Sequence, residues 1–119
     1  GVEALQGDDG CTGVKVNTAD GYADYLFSAT DMQAHHPSKR VSFCGGLGLI
    51  REKEGQIQLM YLGCGRSLKK GNFVLESDHD VYAAIYMQHG VWYYSATGPV
   101  RVKIGKETKE LNEGYNQKL

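Results

Sequence analysis

The residues of this chain whose types could do chemistry are four histidines, a run of carboxylates and three cysteines. His35 and His36 stand together before Pro37, close to Lys39 and Arg40. Further on, Glu76, Asp78, His79 and Asp80 crowd one short segment. A histidine facing a carboxylate and a cation across a sheet is the equipment for metal-independent phosphodiester cleavage: general base, general acid and anion clamp. On that reading a small secreted hydrolase of ribonuclease type uses His35 or His36 with Glu76 and His79. The commoner arrangement is solvated loop histidines and an acidic turn, which needs no convergence. The acidic segment lacks the sixth-position glycine and distal glutamate of a calcium loop. The histidines lack the spacing of a transition-metal site, so no cofactor and no metal are expected. Nucleophilic catalysis finds no Gly-x-Ser-x-Gly elbow. Gly45-Gly46-Leu47-Gly48 precedes an apolar strand rather than a helix, so it is no phosphate loop.

Cys11, Cys44 and Cys64 form an odd set. In a secreted protein that implies one bridge and a leftover thiol, or a homodimer joined through the odd cysteine. Glycines flank Cys44 and Cys64 and let strands approach closely, which fits a Cys44–Cys64 bridge; Cys11–Cys44 is the alternative. No Cys-x-x-Cys pair supports zinc. Secretion is the expectation that follows.

Thirteen basic and 14 acidic side chains leave a net charge of −1. No electrostatic footprint points to bulk nucleic acid or a membrane surface, and neither is expected as a partner. No apolar run approaches the ~20 residues of a membrane-spanning helix. One domain, residues 1–119, is expected, with a single core. Sixteen glycines and 8 tyrosines against 2 prolines fit a turn-rich β protein.

The elements that must position these residues read as strands. Lys70–Met87 organises the chain, with apolar segments Phe73–Leu75 and Val81–Met87 around an acidic turn at Glu76–Asp80. Upstream, Val14–Val16 and Tyr22–Ala29 are strands, and Thr30–Arg40 is a loop holding His35 and His36. Val41–Ile50 and Gln56–Leu62 make a hairpin closed by Arg51–Gly55, followed by a basic turn at Gly65–Gly71. Downstream, Gln88-His89-Gly90 turns into Val91–Ala96. Val100–Ile104 then alternates apolar with cationic residues, the pattern of a strand with one wet face. Arg101, Lys103 and Lys106, with Trp92 and Tyr94 nearby in sequence, are a candidate aromatic-basic patch for a polyanion or sugar. Lys106–Leu119 is polar and compatible with a short C-terminal helix, which Gly114 interrupts at a cost of ~1 kcal/mol. The fold class expected is all-β: a single-domain antiparallel barrel or closed sandwich of seven or eight strands.

Val74-Leu75-Glu76-Ser77-Asp78-His79-Asp80 followed by Tyr82-Ala83-Ala84-Ile85-Tyr86 resembles the late-strand signature of the lipocalins. Val102-Lys103-Ile104-Gly105-Lys106-Glu107-Thr108-Lys109-Glu110-Leu111 is similar to that family's last barrel strand and its exit. The resemblance covers roughly residues 41–119. The early Gly-x-Trp motif is absent, and His79 stands where the family carries an aromatic residue. What the resemblance implies is a secreted barrel that binds a small hydrophobic ligand. The expected lining is Phe43, Leu59, Tyr61, Phe73, Leu75, Ile85 and Tyr93, drawn from strand positions with both faces apolar. A third expectation is an interaction module acting through its surface.

Overall fold

Two-residue turns set the strand lengths. Glu54 and Gly55 take φ of 54° and 78°, and His89 and Gly90 take 52° and 77°. Two successive residues at positive φ make the hairpin turn whose twist matches that of paired strands. The computed structural model describes residues 2–6, 12–28 and 47–119. Its strands are β1 (Val2–Gln6), β2 (Thr12–Asn17), β3 (Tyr22–Ser28), β4 (Leu47–Lys53), β5 (Gln56–Lys70), β6 (Phe73–Gln88), β7 (Val91–Ala96), β8 (Val100–Ile104), β9 (Glu107–Leu111) and β10 (Gly114–Lys118). All belong to one sheet ordered β1-β2-β3-β4-β5-β6-β7-β10, with β8 also on β6 and β9 on β8. Every pairing is antiparallel. The protein is all-β.

The long strands fold the sheet over on itself. Ala83–Gln88 of β6 pairs with β7, while Phe73–Glu76 of the same strand pairs with β8. A straight strand would hold Phe73 and Met87 about 46 Å apart at 3.3 Å per residue. Yet Phe73 packs on Trp92, the cross-strand partner of Met87, with ring centroids 6.1 Å apart. Lys70 at the far end of β5 likewise reaches Glu52 on β4 at 2.8 Å. The bend falls where β5–β6 pairing shifts register twice, around Gly65. Cys64 there takes φ 56°, the left-handed geometry of a bulge that turns a strand.

Folding brings one face inward. Ile50, Met60, Leu62, Leu68, Leu75, Ile85 and Val102 are fully buried, and Val81, Ala83, Ala96 and Val100 fill the space between them. Each large aliphatic side chain so buried contributes about 1.5–3 kcal/mol. This filled interior draws on both halves of β5 and β6.

Three expected elements take another form. Glu76–Asp80 is not a turn: β6 runs through it, and the chain reverses earlier, at Gly71–Asn72. The segment is polar because it lies at the bend, where Asp78, His79 and Asp80 are exposed. For the same reason Arg66–Lys70 extends β5 instead of turning. The C-terminal helix is also absent: Gly105, at φ 62°, begins the turn that folds β9 back on β8, and β10 returns to β7. Leu111 packs against the core at the end of β9.

Candidate functional site

Among the described residues, two of the three exposed aromatic side chains, Tyr61 and Tyr82, stand on the outward face of the central strands. Side chains of paired residues share a face, so the register identifies its members. Ala84 on β6 lies between Tyr61 on β5 and Ser95 on β7. Tyr82 and Tyr86 flank Ala84 two residues away along β6, and Tyr93 neighbours Ser95 on β7. Two small residues thus floor a shallow dish, and four tyrosines rim it. Tyr61 is 38% exposed and Tyr82 51%, high values for strand aromatics. Tyr86 and Tyr93 stand near-parallel, with centroids 5.9 Å apart. Leu26, Leu49 and Leu59 extend the apolar surface toward β3.

The polar groups of the dish are partly engaged. The Tyr86 hydroxyl donates to Asn116 Oδ1. Asn116 N–H in turn donates to Ser95 Oγ at 2.8 Å. The Cys64 thiol beside the Tyr82 phenol is the chief reason that phenol sits above its ordinary pKa. Toward β3, Asp24 grips Arg51 in a two-point ion pair of 2.7 and 2.9 Å. The Arg51 hydrogen bond is the main cause that lowers the Asp24 pKa and, reciprocally, raises that of Arg51. The guanidinium also lies 5.0 Å from the Tyr22 ring, with Lys53 at 4.9 Å on the same ring.

Two clefts lie apart from the dish. A polar one of about 250 Å³ at the bend is lined by Glu76, Ser77, His79, Arg101 and Glu110, among others. Within it Arg101 bridges Glu76 at 3.2 Å and Glu110 at 3.1 Å, and Lys103 approaches Glu76 at 3.5 Å. An apolar cleft of about 260 Å³ is lined by Val91, Trp92, Val102, Ile104 and Leu119, with Glu107 and Lys109 at its rim.

The residues singled out in the sequence are distributed among these places. Glu76 and His79 do share the polar cleft, while His35 and His36 lie outside the described residues. Leu75 and Ile85 are fully buried core, and Phe73 packs beside Trp92. Leu59, Tyr61 and Tyr93 occupy the opposite, outward face. Phe43 is outside the described residues. The expected lining set is therefore divided between the two sides of the sheet rather than gathered about one cavity. Cys64 is a free thiol in this structure, without the expected bond to Cys44; Cys44 and Cys11 lie outside the described residues. The aromatic-basic patch does not form either. Trp92 and Tyr94 pack against the core, whereas Arg101 and Lys103 are held by carboxylates on the wet side. Among the described residues no cluster of histidine, cysteine and carboxylate groups could hold a metal ion.

The family of the endo-acting ulvan lyase C-terminal domain matches residues 1–87. The chain belongs to this family. No curated protein and no solved structure matches it. As an ulvan lyase C-terminal domain, the chain continues its sheet past the matched region. Residues beyond Met87 form β7–β10, which cover the free edge of β6 and supply Ala96, Val100 and Val102 to the core. Tyr93 and Ser95, the β7 side of the dish, come from this extension too. Sequence reasoning missed Tyr82 and Tyr86 as surface residues. Their alternation with Ala83, Ile85 and Met87 was the available signal.

Proposed function

We propose that this domain binds carbohydrate for a polymer-cleaving lyase, holding the substrate on the tyrosine-rimmed face while another part of the enzyme cuts it. The observation that carries this reading is the dish around Ala84 and Ser95. A sugar ring offers apolar C–H groups on its face and hydroxyls at its rim. Tyrosines offer a rigid apolar body with a polar tip, and they lose little conformational entropy on binding. An open sheet face suits a polymer, whose chain must enter and leave sideways. The family name supplies the polymer to test, ulvan. We extend the reading to location: a polymer too large to cross a membrane is met outside the cell.

The test is affinity electrophoresis and calorimetry with ulvan and with an uncharged glucan. Wild-type protein is expected to be retarded by ulvan. Tyr61→Ala and Tyr82→Ala are expected to lose roughly ten-fold in affinity each, as removal of an interface anchor does. Their melting temperatures should stay close to wild type, because both side chains face solvent. A wild-type protein that ignores ulvan would defeat the proposal.

The Trp92 cleft favours a second reading, a small hydrophobic ligand of the kind the lipocalin resemblance implies. Trp92 is the sole tryptophan, so its emission reports occupancy directly. Titration with a fatty acid that leaves Trp92 emission unchanged would eliminate this reading.

A further inference from the structure

One registered row crosses the outward face from cation to cation. Arg51 on β4 pairs with Leu59 on β5, Leu59 with Tyr86 on β6, Tyr86 with Tyr93 on β7, and Tyr93 with Lys118 on β10. Pairing puts all five side chains on one side of the sheet, in line across the strands. Four strand spacings of about 4.8 Å separate the two ends, a span of about 19 Å. Apolar and aromatic residues fill the middle, alongside the dish at Ala84.

The ends differ in kind. Arg51 is a pre-aimed donor: Nε and Nη2 bind Asp24, the Tyr22 ring lies 5.0 Å from the guanidinium, and Nη1 has no hydrogen-bond partner among the described residues. Because Asp24 neutralises it and Asp20 lies near, it offers direction more than charge, with Lys53 adding a positive charge beside it. A fixed guanidinium recognises a planar or tetrahedral oxyanion by geometry. Lys118 is exposed and has no ion-pair partner among the described residues, so it acts as a point charge.

Resting on the carbohydrate reading, we propose that the polymer lies across the strands along this row. Arg51 and Lys118 each read one acidic substituent, and the tyrosines hold the rings between them. The path is transverse because the cations stand at the two ends of the row. Along β6 the outward face continues instead to Tyr82 and then to the bend. The row selects an acidic chain long enough to reach both ends over a shorter or uncharged one.

The experiment measures ulvan binding by calorimetry at low and raised salt for wild type, Lys118→Gln, Arg51→Gln and the double variant Asp24→Asn/Arg51→Gln. Lys106→Gln, on the β8–β9 turn, is the control. Lys118→Gln and Arg51→Gln are each expected to weaken binding roughly five-fold at low salt, the scale of one exposed charged contact. Lys118→Gln should also flatten the salt dependence, and Lys106→Gln should match wild type. Size-fractionated oligomers too short to span the row should bind Lys118→Gln and wild type alike. The Asp24→Asn/Arg51→Gln protein, which leaves no unpaired carboxylate, distinguishes loss of a contact from loss of fold. If the tyrosine variants lose ulvan while Lys118→Gln and the double variant bind like wild type, the transverse path is wrong and the tyrosine site stands. If wild type binds no ulvan, both fall.

Discussion

Two rows of side chains cross the central strands one residue apart, and they do opposite things. The inward row runs Lys15, Tyr25, Ile50, Met60, Ile85, Tyr94 and Gln117; the outward row runs Asp24, Arg51, Leu59, Tyr86, Tyr93 and Lys118. Both place tyrosines and aliphatics between polar ends, Lys15 and Gln117 on the inward row and Arg51 and Lys118 on the outward one. The inward row is covered by the folded-over half of the sheet, so Ile50, Met60 and Ile85 are fully buried. Its polar end is tied off inside: the Tyr25 hydroxyl donates to Glu52 at 2.6 Å, Lys70 joins Glu52 at 2.8 Å, and the Lys70 ammonium sits 3.1 Å from the Tyr25 ring centroid. The outward row is left partly open: Arg51, Leu59, Tyr86 and Tyr93 are half-buried and Lys118 is exposed. Similar sets of side chains thus make a core on one face and a half-open aromatic surface on the other, and what separates them is a single residue of register.

The sharpest way to break this comparison is truncation at matched positions. Ile85→Ala should cost about 2–5 kcal/mol in urea unfolding, since the filled core cannot collapse around the lost atoms. Its outward neighbour Tyr86→Ala should cost about 1 kcal/mol, mostly the contact with Tyr93. Equal losses would mean that the outward face is as integral as the core.

The polar end of the inward row gives the next effect. Burial pushes the Glu52 pKa up, but hydrogen bonds from Lys70 and Tyr25 outweigh it and leave the carboxyl below its ordinary value. Burial, the larger influence on Lys70, lowers its pKa despite Glu52. Glu52→Gln should cost about 1–3 kcal/mol by leaving a half-buried ammonium without its counter-charge. Glu52→Gln with Lys70→Met should recover much of that loss. Because the folded pKa of Glu52 is depressed, its contribution is complete above the ordinary carboxylate range. That contribution disappears as pH falls through the lowered folded value. Acid titration of wild type against Glu52→Gln should show the difference shrinking with pH; a constant difference would contradict the assignment.

A smaller effect concerns the bend that creates the two environments. Cys64→Gly should leave stability unchanged or raise it by up to about 1 kcal/mol, because glycine adopts φ 56° freely. Cys64→Val should lower stability. Smallest is the outward ion pair: Asp24→Asn should cost no more than about 1 kcal/mol in thermal unfolding. That cost should likewise vanish as pH falls through the depressed Asp24 pKa.

Much of the strand content was legible in the residues. His89–Gly90 turns where its sequence predicts, and Val100–Ile104 buries Val100 and Val102 while turning Arg101 toward water. Misreadings arose where polarity was taken for reversal. Glu76–Asp80 is polar because it lies at an exposed bend, and Arg66–Lys70 runs on past that bend with Leu68 in the core; a bent strand keeps its ladder and does not turn back. The expected lining set failed to assemble because Leu59 and Tyr61 belong to one parity of β5 while Leu75 and Ile85 belong to the inward parity of β6. A strand with apolar residues on both faces gives no local sign of which face is covered.

Local sequence by itself determined the all-β class, the turns built on residues that accept positive φ, and the alternation that sorts each strand into two faces. These follow from short-range sterics and period-two geometry, which act within a few residues. Tertiary structure alone decided which face became core. The bend at Gly65 brings Phe73 to Trp92 and Lys70 to Glu52 across more than a dozen residues of strand, and burial follows from that closure. The tyrosines around Ala84 became a surface only because the sheet folded the other way.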